Sequence, residues 1–362
     1  MLFLSLDFKF DTTMKYVIMI TLCFLVLSCG GANIDQSTVL NPTNPIGGKR
    51  EALINTSEKE NIGELADLKS KIKGFSDPED IESMMTFLTS DELQGRDTGS
   101  EGIAKAADFI QNVFEENNIE PYFESYRDTL DNYSEGVAYN VVGYLPGKDP
   151  LLKKEVVIIG AHFDHIGLLG GDGDDNIANG ANDNASGTTT VLQFAKYFGN
   201  LKGNKRTIIF ALFTAEEKGL MGSKHLADKL KDKNIDLYTM LNFEMVGVPM
   251  VNKNHSLYLT GYELSNLAEV SNKYAKKNLV GFLPKAKEFN LFRRSDNASF
   301  HDAFYVPSQT YSSFDFTNFG EYHKVGDEAS LMDYMFMATI INETIPMLTG
   351  IINSSIKEVK YN

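Results

Sequence analysis

A three-layer α/β/α sandwich around a mixed, mostly parallel central sheet is the fold class predicted for this 362-residue chain. Three observations point to it. Short apolar runs such as Val156-Val157-Ile158-Ile159 lack the alternation of a half-exposed strand and read as strands covered on both faces. Segments with apolar residues at helical spacing separate those runs, and such alternation builds parallel sheets with helices on either side. At 43% hydrophobic and 23% charged, the chain also has the apolar content for a sizeable core.

The N-terminus reads as a targeting segment over residues 1–29. Met14-Lys15 supplies a start with a positive end, and Tyr16 to Leu27 is an apolar run too short to span a bilayer. The run closes as Leu25-Val26-Leu27-Ser28-Cys29-Gly30, which resembles a bacterial lipoprotein box in which Cys29 is lipidated. Residues 30–60 are polar, rich in Asn, Thr, Gly and Pro, and read as a flexible tether. Residues 61–362 form a single domain in this reading.

Within that domain Ser100 opens a helix with Ile103, Ala107, Ile110 and Phe114 on one face. Tyr139 to Leu145 predicts a strand ended by Pro146-Gly147, and Val156 to Ile159 a second, buried strand. A helix is expected from Asn184 to Phe198, a strand from Thr207 to Phe213, and a helix from Gly219 to Lys231. Tyr238 to Phe243 predicts another strand, and Glu263 to Lys277 another helix. Glu328 to about Leu348 closes the chain as a long helix, bent or ended near Pro346.

Lys plus Arg total 34 and Asp plus Glu 49, a formal charge of −15. Such a surface repels phosphate backbones, which argues against nucleic acid, and it attracts cations. The only cysteines are Cys23 and Cys29, so no disulfide scaffold or Cys-rich zinc finger is possible. No Gly-x-Ser-x-Gly elbow, Walker loop or dinucleotide fingerprint occurs either.

Ligands of open α/β sheets sit beyond the carboxyl ends of the strands. Past three of the expected strands come His162-Phe163-Asp164-His165, Ala215-Glu216-Glu217 and Glu244. Asp183, in Asn182-Asp183-Asn184-Ala185-Ser186-Gly187, and His323, after Tyr322, are further candidates from loops. Imidazole with carboxylate suits Zn²⁺, and a shared carboxylate can bridge two ions about 3.5–4 Å apart. A second, unbound carboxylate can then take a proton from water. Which of Glu216 and Glu217 would do so cannot be read from spacing.

The series His-x-Asp, Asp-Asn-Ala-Ser-Gly, Ala-Glu-Glu, Asn-Phe-Glu-Met-Val-Gly and Tyr-His resembles the co-catalytic zinc exopeptidases, in particular secreted bacterial leucyl-type aminopeptidases. That family also includes glutamate carboxypeptidases, the transferrin receptor ectodomain and, more remotely, glutaminyl cyclases. The resemblance covers about Met84 to Gly350, including Leu93-Gln94-Gly95-Arg96-Asp97-Thr98-Gly99. It implies a phosphorylase/hydrolase-like fold and two Zn²⁺ per chain. By matching motif, His162 and Glu244 would ligate one zinc, Glu217 and His323 the other, and Asp183 would bridge both. Glu216 would be the general base, Asp164 would orient His162, and Tyr322 would hydrogen-bond the oxyanion. Two departures stand out: Glu244 where many relatives have Asp, and Asn297 after Ser295-Asp296 where many have His.

The resemblance thus implies a zinc aminopeptidase acting on peptides with a free N-terminus, and the targeting segment implies export to the bacterial cell envelope. It would be lipid-anchored, facing periplasm or exterior, with no membrane contact beyond that anchor. Glutaminyl cyclase, carboxypeptidase and a non-catalytic receptor-like module are the alternatives. His165, His225, His255 and His301 are expected as surface or hydrogen-bonded core residues, and Asp172, Asp174 and Asp175 as turn residues rather than a calcium site.

Overall fold

The structure, a computed structural model, describes residues 74–170 and 175–362. The expected signal segment with Cys29, the tether, and Asp172 and Asp174 lie outside the described residues. All described residues belong to one compact unit.

Among the described residues nine strands make one sheet: β1 (Glu120–Pro121), β2 (Arg127–Thr129), β3 (Tyr139–Leu145), β4 (Glu155–His162), β5 (Thr207–Phe213), β6 (Asp236–Phe243), β7 (Leu257–Leu259), β8 (Val280–Gly281) and β9 (Ser308–Ser312). Their order is β1-β3-β5-β4-β6-β9-β7-β8, with β2 also paired to β3. The central strands β5, β4, β6 and β9 are mutually parallel. The antiparallel pairings lie to either side, at β1, β2 and β5 on β3 and at β7 on β9. The sheet is therefore mixed, with its parallel order concentrated where the strand ends matter for the site.

Eight α-helices accompany it among the described residues: α1 (Pro78–Leu88), α2 (Glu101–Glu116), α3 (Gly187–Leu201), α4 (Met221–Asp232), α5 (Leu267–Ala275), α6 (Pro284–Glu288), α7 (Asn297–Phe304) and α8 (Tyr334–Asn353). Successive side chains of a strand point to opposite faces, so one apolar run feeds two cores. Val157, Ile159, Ile208 and Phe210 meet residues of α1, α2, α3, α5 and α8. Val156, Ile158, Ile209 and Ala211 instead meet Leu226 and Leu230 of α4 and Phe300 of α7. These are the three layers.

Caps fix the helix starts. The Asp77 carboxylate accepts from Glu79 N and Asp80 N at 3.0 Å each, with Pro78 in the first turn of α1. Ser100 Oγ accepts from Ile103 N at 3.2 Å and opens α2 where expected. Helix α8 departs from expectation, starting at Tyr334 under an Asp333 cap and running through Pro346 to Asn353. Burial of Ile341 and Ile345 before the proline and of Met347, Leu348, Ile351 and Ile352 after it explains the continuity. Its far end is held by fully buried Arg206, whose Nη1 donates to the carbonyls of Ile352 and Ser354 at 3.1 and 2.6 Å. By length and composition α8 could cross a membrane, but here it packs against α1, α3 and α5.

Candidate metal centre

Because β4, β5 and β6 are parallel, their carboxyl ends share one edge. His162 ends β4 with Asp164 and His165 just beyond, Glu216 and Glu217 follow β5, and Glu244 follows β6. Asp183 comes from the irregular turn Ala181–Ser186 before α3. Tyr322 and His323 lie in the loop after β9. Every expected ligand position thus reaches one region.

Asp183 lies between two histidines. Its Oδ1 is 3.3 Å from His162 Nε2, and its Oδ2 is 3.2 Å from His323 Nε2. Glu217 Oε2 is also 3.2 Å from His323 Nε2, while Glu217 Oε1 is 3.1 Å from His165 Nδ1. His162 and Asp183 are almost fully buried, and Asp164 and His165 wholly so. Tyr322 stacks on His323 with ring centroids 3.9 Å apart, which places it at the cluster.

The surrounding chain explains how acids and imidazoles are held so close. The alternating side chains Asn182, Asn184 and Ser186 bind the loop after β6. Asn182 Oδ1 accepts from Gly247 N, Asn184 Oδ1 from Met245 N and Ser186 Oγ from Val246 N, each at 3.0 Å. Asp183 is left facing the histidines, while the Asp327 carboxylate accepts Asn182 N at 2.7 Å and Asp183 N at 3.0 Å. These bonds pull Asp183 and Asn184 out of helical backbone, so α3 begins at Gly187 rather than at the expected Asn184.

Asp164, expected to orient His162, meets that ring through its main chain. Its carbonyl lies 3.2 Å from His162 Nδ1, which accounts for the direction of that ring and leaves Nε2 for Asp183. Its carboxylate oxygens accept from Glu216 N at 3.2 Å and Glu217 N at 3.3 Å, and from Thr98 Oγ1 at 3.2 Å. Fully buried Arg96 then ties the loops together: it donates to the carbonyls of Phe163, Asn179 and Gly180 at 2.9, 2.6 and 2.9 Å, and to that of Leu88. Gly180 is required here. Its φ is +59°, and a Cβ would stand 2.5 Å from the His165 ring.

Non-glycine residues with left-handed backbone beside the site include Arg96 (φ 48°), Ala215 (φ 54°), Met245 (φ 50°) and His323 (φ 56°). Such strain costs on the order of 1 kcal/mol each and gathers where function demands a geometry.

Acids and imidazoles this close shift one another strongly. Asp183 and Glu217 push His323 up to about 10. Burial works against charge on His162, but Glu216, Asp164 and Asp183 outweigh it and hold its pKa well above the usual value. Burial would raise Asp183, yet His162 and His323 keep it well below the ordinary carboxylate range. Glu216 is pushed well up, by burial first and then by Glu244, Asp296 and Glu217. Burial also lifts Glu244 to about 7, with Ser295 Oγ donating to its Oε2.

Metal fits this geometry. His162 Nε2, His165 Nε2 and His323 Nε2 are buried without hydrogen-bond partners among the described residues, although carboxylates stand beside His162 Nε2 and His323 Nε2. Two ligand atoms about 2.0–2.1 Å from one tetrahedral ion lie about 3.3 Å apart. The separations of 3.2–3.3 Å around Asp183 match that edge. His165, Asp183 and Glu217 also offer ligand atoms within 4.8 Å of one another. Binding an ion would displace protons from the histidines.

Sequence reading placed His165 outside the ligand set. It is a buried, hydrogen-bonded histidine, but its partner is Glu217, and its ring meets that of His323 at 5.7 Å. Its place one residue after Asp164 was the available signal. Asp327 and Arg96 act through main-chain bonds, for which spacing gives no sign.

Residues 140–345, more than half of the chain, match Peptidase family M28. Aminopeptidase YwaD of Bacillus subtilis (strain 168) is 29% identical over 176 residues, covering 48% of this chain and 35% of that protein. The match therefore spans about a third of that relative's length. Among solved structures, BSAP, a zinc aminopeptidase from Bacillus subtilis, superposes with a TM-score of 0.58 at 14% identity, covering 77% of this chain and 96% of its own. Porphyromonas gingivalis glutaminyl cyclase gives a TM-score of 0.58 at 14% identity, covering 76% and 98%. At such identities the two structures speak to the fold alone. The site's residues all lie inside the matched span, and the chain belongs to peptidase family M28.

Proposed function

We propose that the protein is an exported zinc-dependent aminopeptidase that removes residues from peptide N-termini. The observation that carries the two-metal form of this reading is the Asp183 carboxylate, whose oxygens face different histidines at 3.3 and 3.2 Å. His162 and Glu244 would hold one zinc, Glu217 and His323 the other, and Asp183 both. When bound, zinc acidifies the attacking water and polarises the scissile carbonyl.

The chain's own groups do the rest. Glu216, raised by burial among other acids, takes the water's proton and returns it to the leaving amine. The Tyr322 hydroxyl donates to the oxyanion as it forms. Asp164 and Arg96 keep the loops in register. The surplus of carboxylates favours a substrate's free α-ammonium.

Metal analysis and a substrate panel test this reading together. Zinc content near two per chain is expected, with aminoacyl-anilide hydrolysis abolished by chelator and restored by zinc. One zinc at full activity would sink the two-metal form. Conversion of N-terminal glutamine without anilide cleavage would replace aminopeptidase by cyclase, which the shared fold leaves open.

For location we propose lipid attachment at Cys29, supported by Leu27-Ser28-Cys29-Gly30 behind an apolar run. Cys29→Ala should move the enzyme from the membrane fraction to the soluble one with activity kept. Soluble wild-type protein with an unmodified N-terminus would remove the anchor.

A further inference from the structure

A cavity of about 100 Å³ opens beside the metal centre, with Glu244 and Tyr322 in its wall. Its other walls include Met245, Leu291, Phe314 and Phe316, and one cation, Arg294. The two neighbouring arginines differ sharply. Arg293 is neutralised by Asp302, whose carboxylate oxygens lie 2.7 and 2.8 Å from Nη1. Arg294 has no ion-pair or side-chain hydrogen-bond partner among the described residues, and is exposed. In a chain of formal charge −15, an unpaired guanidinium in the wall of a cavity that also holds Glu244, itself beside Asp183 and Asp296, is a local exception. The cavity is thus bipolar: acidic at Glu244, apolar along Phe314 and Phe316, cationic at Arg294.

We propose that this cavity is a carboxylate subsite in which Arg294 selects substrates whose N-terminal residue has an acidic side chain, glutamate above all. The proposal rests on the aminopeptidase reading. A substrate's α-ammonium then lies toward the carboxylates of the centre and its methylenes along the aromatic wall. Its side-chain carboxylate meets the planar fork that Arg presents to such groups. A charged partner of this kind discriminates glutamate from the isosteric, neutral glutamine, whereas an apolar pocket would not. The same chemistry could capture the α-carboxylate at a peptide's C-terminus, so the test separates the two sources.

Zinc-loaded enzyme would be assayed on glutamyl-, glutaminyl-, leucyl- and lysyl-anilides and on N-acetylated dipeptides ending in glutamate. Free glutamate and glutamine would be titrated calorimetrically, as a readout independent of turnover. Wild type should favour glutamyl over glutaminyl anilide by about ten-fold or more in kcat/KM. Arg294→Gln should erase that ratio while leaving leucyl hydrolysis within about two-fold, and Arg294→Glu should favour lysyl anilide. Glutamate should bind wild type more tightly than glutamine, and Arg294→Gln should remove the difference. Leucyl cleavage with no glutamyl preference, unchanged in Arg294→Gln, would overturn the subsite and leave the aminopeptidase standing. Cleavage only of the acetylated dipeptides, weakened by Arg294→Gln, would assign Arg294 to the terminal carboxylate and overturn the side-chain proposal. If no anilide is cleaved, the aminopeptidase reading fails, and equal binding of glutamate and glutamine overturns the subsite as well.

Discussion

Strands β5 and β9 belong to the same parallel block and are almost equally buried, yet one reads Thr-Ile-Ile-Phe-Ala-Leu-Phe and the other Ser-Gln-Thr-Tyr-Ser. β5 excludes water with apolar volume: Phe210 is wholly buried and lies 6.3 Å, ring to ring, from Phe114 of α2. β9 is buried by satisfying its polar groups. Gln309 Nε2 donates to the carbonyls of Thr260 and Gly261 at 3.0 and 2.8 Å. Thr310 Oγ1 donates to Asn297 Oδ1 at 2.7 Å, and Tyr311 OH pairs with Ser271 Oγ at 2.8 Å. The division follows the task of each region. Strands β4, β5 and β6 lead into the acids and imidazoles of the centre, whereas Thr310 and Ser312 of β9 line the cavity beside it.

Substitutions can break this contrast. The largest effect is expected just past β5, where Glu216→Gln should lower kcat by about 10²–10⁴-fold with zinc content and folding stability kept. Zinc loss in that variant, with zinc retained in Glu217→Gln, would reverse the two roles. Next, Phe210→Ala should lower folding stability by about 3–5 kcal/mol in denaturant titration, because little can collapse into the space left. A loss below about 1 kcal/mol would mean that β5 is not held by volume.

Smaller effects are expected from the polar supports. Asp327→Asn gives up one of the acceptors that place the Asp183 main chain. Zinc affinity, read by competition with a chelator, should fall by about 10–100-fold while far-ultraviolet circular dichroism is unchanged. An unaltered affinity would show that Asp327 only closes the turn. Thr310→Val keeps the volume and leaves Asn297 Oδ1 short of a donor, at a cost of about 1–2 kcal/mol. If Val is neutral there, the hydrogen bonds of β9 are incidental and the contrast with β5 collapses.

The same contrast marks what could be read from the sequence. Strand β5 was delimited at both ends by its apolar run, and β3 by its run and the Pro146-Gly147 that follows. Strand β9 escaped, since five polar or aromatic residues carry no burial signal until their partners are known. Helix α1 was missed although Asp77-Pro78 announces it and Ile81, Met84, Met85 and Leu88 recur at helical spacing, so its signal was present in the sequence. In the centre, residues that follow strong strands were legible by position. His165 was not set with them, and neither Asp327 nor Arg96 could be, because each acts on carbonyls or amides supplied by distant segments.

Arg96 also has a consequence in time. One side chain gathers carbonyls 67, 83 and 84 residues away in the chain, at Phe163, Asn179 and Gly180. Closing such long loops is slow compared with forming helices, so the pocket for metal should be among the last parts to assemble. In refolding, zinc capture is expected to lag the recovery of helical signal, and a simultaneous rise would contradict this. A chain caught between those two moments would hold most of its architecture but not yet the pocket that gives its site any chemistry.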